Sequence, residues 1–255
     1  MVDEEILLPR GNVSGDIVRV GDTVRRPAGP HTPFVHAFLE HLHRNGFRHA
    51  PRPLGFDEKG REVLTFAVGT VPWGDDLPLV ASDEAIRAVA RVIRELHEAA
   101  AGFVPPVGAR WFALTPPDPV EMITHNDLAP WNLVMDGGTL TFIDWDASGP
   151  GSRLWDLAYA AHGFVPLAPW SEWDHGRRLG VFADAYGLDE TQRTELVPLL
   201  SARTGTMHDF LRDQAALDVE PWVTHWRTGH GDAWRDDTDY IARNETVWRR
   251  ALGLG

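Results

Sequence analysis

A chain of 255 residues, 43% hydrophobic and 24% charged, is long enough to bury a core in one or two domains, so disorder is not expected. Its formal charge of -13 argues against a general nucleic-acid binder, which needs clustered lysine and arginine, and suits either a cationic small substrate or simply an acidic, soluble surface. Cysteine is absent, no run approaches the ~20 apolar residues of a membrane span, and the opening MVDEEILLPR has no basic start, so a soluble cytoplasmic protein with no disulfides and no membrane segment is expected.

In chain order, short apolar segments come first: Ile6 to Leu8, Ile17 to Val20 and Thr23 to Arg26. They are separated by Gly11-Asn12-Val13-Ser14-Gly15 and by Gly21-Asp22, the pattern of two successive hairpins. Phe34, Val35, Phe38, Leu39 and Leu42 recur at helical spacing between Thr32 and Asn45, and Asn45-Gly46 supplies the stop. Pro51 to Gly55 and Arg61 to Val68 are strand-like around a turn at Asp57 to Gly60. Residues 1–70 are therefore expected to form a small antiparallel sheet with one helix. After the connector Gly69 to Pro78, Ser82-Asp83-Glu84-Ala85 opens a helix through Ala101, with Ile86, Val89, Val92, Ile93 and Leu96 on one face. This begins a second unit, 71–255. It continues with a proline-rich loop from Pro105 to Pro119, an Ile123-led strand, a polar loop, and the strands Leu133 to Met135 and Leu140 to Trp145 about Asp136-Gly137-Gly138. From about Asp156 the pattern is a tryptophan-rich helical subdomain. The fold class is α+β.

The densest chemistry lies in His125-Asn126-Asp127-Leu128-Ala129-Pro130-Trp131-Asn132, a loop between apolar strands, and in Ile143-Asp144-Trp145-Asp146 at the end of a hairpin strand, where alternation directs Asp144 and Asp146 to one face. Phosphoryl transfer requires a carboxylate near the acceptor hydroxyl, oxygen ligands for magnesium, and donors for the charge on the triphosphate. The loop and hairpin supply the first two. Here the chain resembles the aminoglycoside phosphotransferases and the related choline and homoserine kinases, in their His-Asn-Asp form of the protein-kinase catalytic loop. Leu154-Trp155-Asp156-Leu157-Ala158 and Arg94-Glu95-Leu96-His97 extend the likeness, which runs from about Leu7 to Phe164. The resemblance implies a bilobal protein-kinase-like fold, with a small antiparallel β-sheet N-lobe and a mainly helical C-lobe. It also implies a Mg2+-dependent kinase that uses ATP or GTP, with Asp127 at the acceptor hydroxyl, Asn132 and Asp144 as magnesium ligands, and Asp156 bracing the loop.

The phosphate-holding side departs from the family. Lys59 is the chain's only lysine and lies in the Asp57 to Gly60 turn, so where kinases place a lysine on the third strand this chain must use an arginine or manage without. Arg25 and Arg26 occupy that strand on opposite faces; Arg26 is the candidate, with Glu40 in the following helix as a possible partner. Gly11 to Gly15, with Ser14, resembles the phosphate-covering loop; alone it reads as an ordinary hairpin turn, but its position ahead of two strands and of Arg25-Arg26 favours the phosphate role. Phe66 and Val68, in the segment Leu64 to Val68, would meet the adenine through backbone groups. For the other residues plainer roles are weighed. His125 suits a backbone prop better than a metal ligand. Asp146 suits metal or a local amide equally. The tryptophans suit core more than stacking. Asp209, Asp213, Asp218, Glu220, Asp232, Asp236 and Asp237 suit a solvated face more than a cationic pocket. Because the lysine is missing, a nucleotide-binding module without turnover stands as the alternative to a kinase acting on a small-molecule hydroxyl. A hydrolytic metal site at His125, Asp127, Asp144 and Asp146 would need more histidine ligands.

Overall fold

The computed structural model describes residues 4–8, 17–112, 114–115 and 120–255. Its first sheet is antiparallel, ordered β1-β2-β3-β5-β4, from β1 (Ile6–Leu7), β2 (Val18–Val20), β3 (Thr23–Arg26), β4 (Pro53–Phe56) and β5 (Glu62–Thr65). Gly21, at φ 57, makes the tight turn between β2 and β3 that a side chain would strain. The β3–β5 register sets Arg26 opposite Glu62, and this pairing decides how the arginine is held. Helix α1 (Thr32–Arg44) follows β3. Its apolar stripe, Phe38, Leu39 and Leu42, is fully buried, and burial of each such side chain contributes ~1.5–3 kcal/mol. The stripe is not confined to the N-lobe: Phe38 packs against Phe103 and Trp145, with ring centroids 5.1 and 6.1 Å apart, so one apolar core joins both lobes.

Thr70 bridges to Met135 and ties the connector to the central hairpin. The connector then forms a 3-10 turn, Gly74–Val80, rather than a plain loop. Helix α2 (Asp83–Ala100) starts where Ser82 accepts a hydrogen bond from the Ala85 amide at 3.1 Å, a cap worth ~1 kcal/mol. Ile86, Val89, Ile93 and Leu96 seat it in the core. Two short ladders then frame the catalytic-type loop: β7 (Leu133–Asp136) with β8 (Thr139–Phe142), and β6 (Met122–Thr124) with β9 (Gly149–Gly151). The sequence Gly-Pro-Gly has no strand propensity, so β9 was not expected; its pairing with β6 makes it a strand. A Cβ on Gly151 would collide with the Thr124 hydroxyl. The remaining elements are helices: α3 (Arg153–Phe164), α4 (His175–Tyr186), α5 (Glu190–Ala216), α6 (Trp222–Arg227), α7 (His230–Arg243) and α8 (Glu245–Ala251). The 27-residue α5 is the spine, with α3 and α7 packed along it. The result is a bilobal α+β protein-kinase-like fold. Among the described residues no helix is long and apolar enough to cross a membrane.

The predicted strand Leu140 to Trp145 is shorter than expected. It ends at Phe142, Asp144 takes a left-handed backbone at φ 58, and Trp145–Ala147 coils into a 3-10 turn. Alternation therefore does not orient Asp144 and Asp146. The kink does, and both still reach the same arginine.

Candidate active site

The loop between β6 and β7 is held from below by buried polar groups. Asn126, also left-handed at φ 64, donates its amide N–H to Asp156 Oδ1 at 2.8 Å, and its side-chain amide donates to the carbonyls of Ala147 and Gly149. Its own carbonyl accepts from Arg203 of α5 at 3.0 Å. Asp156 is fully buried and its second oxygen meets His97 Nε2 at 3.1 Å, so α2, α3 and α5 all fix one peptide of the loop. An unpartnered buried carboxylate would cost several kcal/mol; here every bond it makes orders the loop. His125 is buried, and burial holds its pKa below the ordinary imidazole value. The neutral ring fits its contacts: Nε2–H donates to the Ile143 carbonyl at 3.2 Å, and Nδ1 accepts from the Asp127 amide at 3.3 Å. It props the backbone.

Above this brace, Asp127 Oδ2 accepts from Asn132 Nδ2 at 2.7 Å, and the same amide group donates to the Asp127 carbonyl at 3.0 Å. Tyr159 of α3 stands beside the Asp127 carboxylate, where its hydroxyl favours the ionised form. Burial pushes the Asp127 pKa up to about 7 with help from the Asp144 charge, while the Tyr159 hydroxyl, the bond from Asn132 and the Arg203 charge oppose the rise. A carboxylate that titrates near neutrality, hydrogen-bonded to an immobilised amide, has the proton affinity a general base needs.

Arg26 enters from β3, 7% exposed, and its Nη1 lies 3.1 Å from Asp144 Oδ1. Its Nε is 2.9 Å from Glu62, and its Nη2 contacts Asp146. Burial opposes its charge, but Asp144, Asp146 and Glu62 outweigh that and hold its pKa above the ordinary value. Arg25 points away, toward Asp57 at 3.8 Å. The partner expected from α1, Glu40, is exposed and pairs instead with Arg44 on its own helix. The true partner, Glu62, comes from β5 and is 1% exposed, with His36 of α1 at 2.9 Å from its other oxygen. Sequence reading missed Glu62 because its one signal, a lone acid in an apolar strand, acquires meaning only when the register places it opposite Arg26. Asp146 pairs with Arg26 and with His31 at 3.2 Å, and these contacts hold its pKa down despite burial.

Three carboxylates, Glu62, Asp144 and Asp146, face the single charge of Arg26. The excess of two negative charges suits a divalent cation, and the oxygen donors suit magnesium. Asn132 and Asp144 would hold it; the Asn132 amide nitrogen is engaged with Asp127, which leaves its oxygen as the ligand atom. Among the described residues no group of three or more His, Asp and Glu is placed to hold a metal, so phosphate and water oxygens would complete the shell. Of the other candidates, Ser14 and the Gly11 to Gly15 segment lie outside the described residues. The Phe66 amide donates to the Asp22 carbonyl at 2.9 Å, and the Arg19 guanidinium covers its ring, so that N–H is not a nucleotide contact; Val68 is exposed.

The C-terminal acids are largely occupied. Arg212 holds Asp209 and Asp213, Arg235 holds Asp232 and Asp236, Arg227 reaches Asp218, and buried Asp237 meets His162 at 2.8 Å. The tryptophans divide: Trp145, Trp155, Trp222 and Trp248 are core, whereas Trp73, Trp131 and Trp234 retain exposed surface.

The arginine assignment carries an expected result. Arg26→Ala raises the nucleotide concentration needed for half-maximal thermal stabilisation by about tenfold, the worth of one charge-assisted hydrogen bond, whereas Arg25→Ala leaves it unchanged. Removing Arg26 also strands buried Glu62, at ~3–5 kcal/mol, so Arg26→Lys serves as the folded control. The reverse ranking of the two alanine variants reassigns the role to Arg25.

The model of the family described as "Phosphotransferase enzyme family" (APH) matches residues 107–197, which contain the braced loop, Asn132 and Asp144. The trifolitoxin immunity protein of Rhizobium leguminosarum bv. trifolii is 32% identical over 257 residues, covering 89% of this chain and 93% of that protein. Among solved structures, a choline/ethanolamine kinase family protein from Mesorhizobium loti superimposes with a TM-score of 0.68 at 16% identity, covering 99% of this chain and 93% of its own. An amicoumacin kinase in complex with AMP-PNP, Ca2+ and its ligand does so at 0.66 and 12% identity, covering 98% and 90%. At these identities the two structures bear on the fold alone.

Proposed function

The chain belongs to the phosphotransferase enzyme family, and from that premise we propose that it moves the terminal phosphoryl group of ATP or GTP to a hydroxyl of a small molecule. The observation that carries the reading is the convergence of Asp127, Asn132 and Asp144 beside Arg26. Asp127 takes the hydroxyl proton as the acceptor oxygen attacks the terminal phosphorus, the bond to the bridging oxygen breaks, and the nucleoside diphosphate leaves. Bound magnesium would screen charge on the phosphates and orient them. Arg26 holds phosphate on the opposite side, and the Asn126–Asp156–His97 brace keeps the loop in register for the attack. The immunity named in the relative supports an antibiotic or toxin as acceptor, disarmed by phosphorylation.

One observation favours a second reading, a nucleotide-binding module with little turnover: Arg26 is engaged by three carboxylates and must release Asp144 before it reaches phosphate. Magnesium-dependent thermal stabilisation by ATP or GTP, followed by ADP or GDP release over a panel of hydroxyl acceptors, separates the two. Stabilisation with release from at least one acceptor supports the kinase. Stabilisation with none across a broad panel favours the module, and the absence of any stabilisation rejects both.

A further inference from the structure

A guanidinium can fork onto an oxyanion along either of two edges, one through Nε and one through the paired Nη1 and Nη2. In Arg26 the Nε side faces Glu62 at 2.9 Å, which leaves the Nη1–Nη2 edge for phosphate. That edge is already engaged within the chain: Nη1 lies 3.1 Å from Asp144 Oδ1, and Nη2 contacts Asp146. The three acids are not equivalent partners. The Glu62 side chain is 2% exposed, whereas those of Asp144 and Asp146 are 38% and 31% exposed. Parting the arginine from Glu62 strands a buried carboxylate, but the two outer acids reach water as they let go, so Glu62 is the fixed partner and the outer pair is exchangeable.

Each outer acid also has a second partner within reach. For Asp144 it is the magnesium it is proposed to hold. For Asp146 it is His31, immediately before α1, whose Nε2 lies 3.2 Å from Asp146 Oδ1 and whose ring is fixed by stacking on Phe112 at 5.7 Å and 28°. The left-handed Asp144 and the 3-10 turn after it carry both carboxylates on one short arm, aimed at one guanidinium. We propose that Asp144 and Asp146 form a catch on Arg26, standing where two phosphate oxygens bind, and that the catch opens when Asp144 turns to magnesium and Asp146 to His31. Bare nucleotide then meets an occupied arginine and two repelling carboxylates, while the magnesium complex meets a freed fork. Asp146 and His31 act through Arg26 and are positioning residues. The proposal rests on the reading of Arg26 as the phosphate-holding residue, but it concerns binding, which is measured apart from turnover.

The full chain is titrated calorimetrically with AMP-PNP, once with magnesium and once with EDTA, and ADP release from ATP is assayed separately over a panel of hydroxyl acceptors. Asp146→Asn removes one limb of the catch and a charge that repels phosphate, and is expected to tighten AMP-PNP about tenfold in both titrations, the worth of one charge-assisted hydrogen bond. His31→Ala leaves Asp146 to Arg26 alone and weakens AMP-PNP severalfold. In the double variant the effect of His31 disappears, because it acts through Asp146. A general loosening of the site moves both single variants in the same direction, so opposite signs are the mark of the catch. Should Asp146→Asn not fold, the loss in His31→Ala and its recovery in His31→Gln, whose amide again offers Asp146 a donor, carry the test. Weaker magnesium-dependent binding in Asp146→Asn makes Asp146 a metal ligand and overturns the proposal, as does a His31→Ala effect that persists in the double variant. The expected signs with no ADP release from any acceptor uphold the catch and reject the kinase reading. ADP release by the parent, with Asp146→Asn binding AMP-PNP no more tightly, does the opposite.

Discussion

Asp127→Asn lowers phosphoryl transfer by about 10²–10⁴-fold, the usual contribution of a general base, while magnesium-dependent nucleotide binding persists. The split is expected because Asp127 bonds to Asn132 but is not one of the residues proposed to hold the metal. Single-turnover transfer and nucleotide-dependent melting, measured on the same preparation, read the two properties separately; transfer at the parent rate ends the role assigned to Asp127. Its pKa, lifted to about 7 chiefly by burial, adds a pH signature. The base works only when ionised, so kcat/KM rises with pH up to about 7 and then levels. Tyr159→Phe removes a hydroxyl that favours the ionised form and moves the rise to higher pH. Stability follows the opposite sign. A carboxylate whose pKa is raised on folding retains more protons in the native state than in the unfolded one, so its ionisation costs stability above the ordinary carboxylate range, fully so above pH 7. Metal-free Asp127→Asn is therefore expected to be more stable than the parent at pH 8, by ~1–3 kcal/mol, with the gain fading toward pH 4.

Asp144→Ala abolishes the magnesium-dependent part of nucleotide binding, a loss of at least about a hundredfold in apparent affinity given the several kcal/mol a metal contributes at a phosphate site. Titrations with magnesium and with EDTA then coincide in the variant and remain apart in the parent. Asp146→Asn is the internal comparison. Asp146 touches Arg26 and His31, so its loss loosens the arginine but spares the magnesium effect. A variant lacking Asp144 that still distinguishes magnesium from EDTA refutes the assignment of Asp144 as a ligand. Both substitutions remove charge from a cluster with an excess of carboxylate, so the fold is expected to tolerate them better than Arg26→Ala.

What the linear sequence determined was local. Asp127 and Asn132 stand one short loop apart, so their nearness was legible from spacing, although the bond between them was not. The helix from Asp83 to Ala100, the antiparallel segments of the N-lobe and the opposite facing of Arg25 and Arg26 followed from periodicity, because side-chain direction is a property of the backbone repeat; which of the two arginines meets Asp144 did not. His125 as a prop and Asp156 as a brace came from the resemblance and have the contacts such roles require. What only the tertiary structure decided were the long-range pairings. Glu62 rather than Glu40 neutralises Arg26, because strand register, and not nearness along the chain, chooses the partner of a buried charge. Asp144 and Asp146 converge on Arg26 through a left-handed residue and a 3-10 turn, which no alternation rule contains. Trp73, Trp131, Tyr159 and Trp234 lie on four separate segments, and no period in the chain relates them. Only the packing of the connector, the loop, α3 and α7 brings their rings together.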